Sequence, residues 1–173
     1  GTTAFTLGED YFPLSVGNGA QEGEEAGRLP LVFAGYGISA PAIGYDDYDG
    51  VEVSGKAVVV FTHEPQEDDP NSPFEGKAHT QHATFLNKAM VARSRGARLL
   101  LIVEDPTHVE SSGGAAGWLK DPQADGFGVP VVRIDRRRLA QALGSAIDLE
   151  AIAREIDGDL KPRSRAVPGF SVG

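Results

Sequence analysis

The chain contains no cysteine. That excludes disulfide staples, a thiolate nucleophile and a cysteine-ligated zinc site. It leaves the compartment open, because disulfide-free proteins occur in all of them. No apolar run approaches the roughly 18 residues a spanning helix requires, so no membrane-spanning segment is expected. No leader with charged, apolar and small-residue zones is recognised either. Cations are in short supply: 16 Lys and Arg stand against 25 Asp and Glu, a net charge of -9 at pH 7. A surface of that sign repels phosphates, which disfavours nucleic acid and anionic lipid as partners. Several chemical signatures are missing as well: there is no Walker A run, no H-E-x-x-H, no G-x-S-x-G elbow and no calcium-loop spacing.

Glycine and proline are plentiful, at 22 and 11 of 173 residues. Such a chain turns often and builds short elements. Its length is that of one ordinary domain, large enough to bury a core unaided. The apolar run Leu31–Ala34 reads as a strand ended by Gly35 and Gly37. "KAVVVF", residues 56–61, reads as a strand buried on both faces. A polar loop with three prolines follows at 62–77. Helical spacing then appears across 79–96, closed by Gly96, and "ARLLLIVED", 97–105, is another strand. Strand, helix, strand is a βαβ pattern. After a glycine-rich loop at 106–128, "VPVVRI", 129–134, is a fourth strand. Asp135 and Asp148 precede two short helices as capping residues. The residues alone therefore predict a small α/β (α+β) domain.

The stretch "FAGYGISAPAIGYDDYDG", 33–50, is the most structured motif. As a dinucleotide fingerprint it fails, because Ala40 and Pro41 stand where the third glycine and a helix are needed. It reads better as a rigid corner. Gly35 and Gly37 allow the bend, Asp46, Asp47 and Asp49 accept turn N–H bonds, and Tyr36, Tyr45 and Tyr48 pack over the sheet edge. "SSGGAAG", 111–117, reads as loop rather than anion nest. The "RRR" run at 136–138 reads as a solvated face. His79 and His82 are three apart and could share a helix face, with His63, Glu64, Glu67, Asp68 and Asp69 upstream. Without a further ligand pattern these carboxylates read as solvated, and neither a metal site nor a catalytic residue is assigned.

"LVFAGYGISAPAIGYDDYDGVEVSGKAVVVFTHEP" resembles the start of a protease-associated domain. More narrowly, it resembles the version inserted in bacterial zinc aminopeptidases related to the transferrin receptor and glutamate carboxypeptidase. "HATFLNKAMVARSRGARLLLIVEDP" and "VPVVRIDRRRLAQALG" resemble the elements that follow in that family. The likeness spans about residues 30–157, and Gly35-Tyr36-Gly37 with Tyr45-Asp46-Asp47-Tyr48 is its most specific part.

The resemblance implies a single protease-associated domain over 1–173, an insertion excised from a larger peptidase. It implies a small open β-barrel or sandwich flanked by short helices. Residues 5–16 and 163–172 are expected to add strands that pair the two ends. The implied role is non-catalytic: binding protein or peptide, or gating substrate, beside a secreted zinc aminopeptidase, extracellular or periplasmic. Zinc would belong to the parent's peptidase domain and no cofactor to this segment. The expected partners are that adjoining domain and a peptide or protein substrate. Tyr36, Tyr45, Tyr48, His63, His79 and His82 are the candidate interaction surface. The competing expectations are a freestanding small α/β hydrolase using the histidines with loop carboxylates, and a structural or dimerising domain.

Overall fold

The computed structural model describes residues 2–15, 27–108 and 127–173. Eight strands and three α-helices run in chain order among them. These are β1 (Tyr11–Ser15), β2 (Leu29–Phe33), β3 (Ser39–Ala40), β4 (Tyr45–Asp46), β5 (Ala57–Phe61), α1 (Phe85–Ser94), β6 (Leu99–Val103), β7 (Val131–Ile134), α2 (Arg136–Leu143), α3 (Leu149–Asp159) and β8 (Arg165–Val172). Six strands form one sheet in the order β1-β7-β6-β5-β2-β8, and β3 pairs with β4 apart from it. The four central strands are parallel, with Leu31 opposite Ala57, Val59 opposite Leu101 and Leu101 opposite Val132. The edge strands β1 and β8 run antiparallel to β7 and β2. The fold is mixed α and β.

Alternation along the central strands sorts their side chains between two cores. Phe33, Val59, Phe61, Leu101 and Val103 face α2 and α3, meeting Leu139, Leu143, Ile152, Ala153 and Ile156. Val32, Val58, Val60, Leu100 and Ile102 face the other way, toward Ala89 and Ala92 of α1. The uninterrupted β-branched run of β5 is thus explained by helices on both faces. Each such aliphatic side chain, fully buried, contributes about 1.5–3 kcal/mol.

The caps form as the sequence predicts. Asp135 accepts the Arg138 N–H and Asp148 accepts the Ala151 N–H. The helix expected from residue 79 starts only at Phe85. Thr80 and Thr84 each cap a new turn, so residues 81–83 form a separate 3-10 turn ahead of α1. The terminal segments do supply strands, but they do not pair with each other. β1 and β8 occupy opposite edges of the sheet, because β1 finds its partner in β7 and β8 in β2. The arginines at 136–138 are partly engaged rather than simply solvated: Arg138 Nε lies 2.9 Å from Asp10 Oδ1, and Arg136 Nη1 lies 3.2 Å from Glu150 Oε1. The expectations for 111–117 fall outside the described residues. Among the described residues no helix is long and apolar enough to cross a membrane.

Candidate functional site

The corner at 33–50 sits at the carboxyl end of β2. Gly35 and Gly37 adopt φ of +49° and +67°, a region that β-carbons resist. At Gly35 the need is also steric, since a β-carbon there would fall 2.1 Å from Asp47 Oδ1. Asp47 is fully buried and is the hub of the corner. Its Oδ2 accepts the Tyr36 and Ile38 N–H groups at 3.0 and 3.1 Å, and its Oδ1 accepts the Tyr45 hydroxyl at 2.8 Å. Burial pushes its carboxyl up to about 7, against the pull of those donors and of Lys88. Asp46 accepts the Tyr48 N–H and pairs with Arg95 at 2.8 Å.

The three tyrosines are interior residues, which corrects their place in the expected interaction surface. Tyr36, Tyr45 and Tyr48 are 0%, 3% and 2% exposed. Their rings fill the core above the strand ends, where Tyr36 meets Phe61 and Tyr45 meets Phe74 edge-on. The Tyr36 hydroxyl donates to Asp105 at 2.9 Å. The Tyr48 hydroxyl is buried and finds no hydrogen-bond partner among the described residues. Burial first, then the nearby carboxylate, raises the hydroxyl pKa of Tyr36 and Tyr45 well above the ordinary value. None of these groups can meet a reactant.

A second cluster forms beyond the carboxyl ends of β5 and β6, the edge where parallel sheets commonly carry their sites. Phe61 and Val103 are register partners, so the residues just after them emerge together. His63 Nδ1 and Glu67 Oε2 are 2.8 Å apart, as are His79 Nε2 and Glu67 Oε1. His108 stands beside them, with Nδ1 3.0 Å from Asp105 Oδ2 and 3.9 Å from Glu67 Oε2. The hydrogen bond to Asp105 raises the His108 pKa. Burial pushes Asp105 up, but His108, Thr107 and Tyr36 together hold its carboxyl below the ordinary value.

Lys88 ties the two regions. It is fully buried on α1 and donates to the main-chain oxygens of Tyr36 and His63. Burial pushes its ammonium down to about 7, against the attraction of Asp47, Glu64 and Asp105. Glu64 is buried too, accepting the Thr80 N–H and hydroxyl at 2.7 and 2.6 Å. Glu64 is therefore a structural clamp between the long loop and the turn before α1, not a solvated carboxylate.

No protein-family model matches the chain, and no curated protein matches it. The site is therefore read from its own geometry. Of the six surface candidates, His63 and His79 converge through Glu67. His82 does not join them: its ring packs edge-on to Phe74, and its Nδ1 lies 3.3 Å from Asn87 Nδ2. The shift from helix to 3-10 turn parts the two histidines that helical spacing had placed on one face. His79 and His82 instead share the wall of an open groove of about 460 Å³ with Ala42, Ile43, Pro73 and Glu75.

Sequence reasoning missed Lys88, Asp105 and His108. Lys88 sits within an apolar helical pattern and resembles an ordinary exposed lysine. The position of Asp105 and His108 just past a buried parallel strand was the available signal.

Proposed function

We propose that this chain is a protease-associated domain that works without chemistry of its own, as a protein- or peptide-binding or substrate-gating module beside a zinc aminopeptidase. The observation that carries this reading is the use of Asp47. In the motif that most resembles the family, the central carboxylate is buried and accepts three protein donors. Such a group stiffens a corner and has no access to a substrate. The contact surface in this reading is the groove beside the corner, where His79, His82 and half-exposed Ile43 line an open wall. A shallow groove with apolar and polar walls suits a peptide segment better than a small metabolite. The peptidase partner, its zinc and an extracellular or periplasmic setting follow from the resemblance.

The test has two arms. The purified chain, supplied with zinc and an amino-acyl chromogenic substrate, is expected to release no chromophore. Chelator-sensitive turnover would instead favour a freestanding hydrolase, the reading to which the His63–Glu67–His79 group lends support. That enzyme would lose its pH–rate profile when His63 and His79 are replaced together. In the second arm, the flanking reading frame is expected to encode an H-x-D motif and the further zinc-ligand segments of a peptidase. A flanking frame without them removes the gating role.

A further inference from the structure

We propose that His63, Glu67 and His79 form a binding site for a divalent transition-metal ion of the zinc class. The proposal does not rest on the protease-associated reading. Each of the three residues offers one ligand atom, and those atoms all lie within 4.8 Å of one another. Zinc with bonds of about 2.0–2.1 Å spaces tetrahedral ligand atoms at about 3.4 Å. The two contacts to Glu67, both 2.8 Å and each to a different carboxylate oxygen, would open by about half an ångström to admit an ion. Two imidazoles and one carboxylate suit zinc, cobalt or nickel, whereas calcium and magnesium prefer oxygen alone.

The site is built rather than accidental. Its side chains are partly covered, at 15% for His63, 18% for Glu67 and 36% for His79. They can shed most of their water and still leave a fourth position to solvent. His63 and His79 both hold a positive φ, of +57° and +49°, as do Gln66 and Glu75 between them. Four such non-glycine residues within one loop mark a segment held to a particular shape by its surroundings. The anchors are visible: Lys88 grips the His63 carbonyl, Glu64 grips Thr80, and Asp157 of α3 accepts the Gln66 N–H. The two imidazole rings are 5.3 Å apart and tilted by 40°, converging on Glu67 rather than stacking. An ion here would clip residues 63–79 and sit at the edge of the groove that His79 lines.

The experiment uses the untagged chain, stripped with a chelator and titrated calorimetrically with zinc chloride. One equivalent is expected to bind, with cobalt giving a visible absorption band at the same stoichiometry. Glu67→Gln and His79→Gln should each weaken zinc by at least about tenfold, the scale on which even outer partners of a metal matter. His82→Gln, three residues from His79 but outside the cluster, should leave it unchanged. Circular dichroism of each stripped variant separates lost ligation from lost folding. Should Glu67→Gln fail to fold, the half-exposed His79→Gln decides alone. Binding that ignores Glu67→Gln and His79→Gln overturns the site, as does the lack of a one-to-one zinc complex. Calcium bound in preference to zinc overturns the assigned class.

Discussion

The buried Lys88 ammonium donates to the main-chain oxygen of Tyr36, 52 residues away, and its second bond reaches the His63 carbonyl. One side chain on α1 therefore holds both the glycine–tyrosine–aspartate corner and the first residue of the histidine cluster. Lys88→Met removes both bonds and leaves Asp47 and Glu64 without their cation. We expect a loss of about 3 kcal/mol or more in urea unfolding, the scale for breaking a buried charge network. A variant within 1 kcal/mol of the parent would show the lysine to be dispensable.

The two kinds of glycine in the corner should respond differently to alanine. Gly35→Ala drives a β-carbon into Asp47 Oδ1 at a positive φ, and a loss of at least about 2 kcal/mol is expected. Gly44 also has positive φ, +71°, but open space around it. Gly44→Ala should cost only about 1 kcal/mol from the backbone term. Thermal unfolding of the pair measures the difference, and equal losses would argue against Asp47 as the hub.

Tyrosine hydroxyls give a paired comparison. Tyr45→Phe leaves Asp47 Oδ1 buried without its donor, at a cost of about 2 kcal/mol. The Tyr48 hydroxyl has no partner to lose among the described residues, so Tyr48→Phe should lie within about 0.5 kcal/mol of the parent or be stabilising. Denaturant midpoints at a common slope would reveal whether the order holds; a larger loss for Tyr48→Phe would reverse the argument.

Acid sensitivity should trace partly to Asp10. The Thr6 N–H holds its carboxyl below the ordinary value, with Arg138 adding to the effect against partial burial. A depressed folded pKa contributes stability that is present above the unfolded value, about 3.9, and lost as pH falls through the folded one. Asp10→Asn is therefore expected to be less stable than the parent at neutral pH, with the gap closing below about pH 4. Melting temperatures collected from pH 2 to 7 test this. A gap that stays constant through the acid range would mean that the carboxylate's charge is not what matters.

The secondary structure was largely legible before the fold was known. The β-branched run at 57–61, the apolar runs at 99–103 and 131–134, and the aspartate caps at 135 and 148 all appear in their expected roles. These features are local: alternation, propensity and capping act within a few residues. The candidate site was legible only in part. His63, Glu67 and His79 could each be named, but helical spacing paired His79 with His82. Thr80 and Thr84 break that helix with caps of their own, and the pairing with it.

What the amino-acid order settles by itself is the central strands, the aspartate-capped helices, the net negative charge and the lack of cysteine chemistry. Where the tyrosines go, and which histidines meet, depends on strand order and register. The parallel pairing of Phe61 with Val103 brings residues 63 and 108 to one edge, and a buried lysine draws the corner down beside them. Those contacts join residues tens of positions apart. Their cost in chain entropy is met only when the whole sheet and its helices close together, so no local pattern announces them.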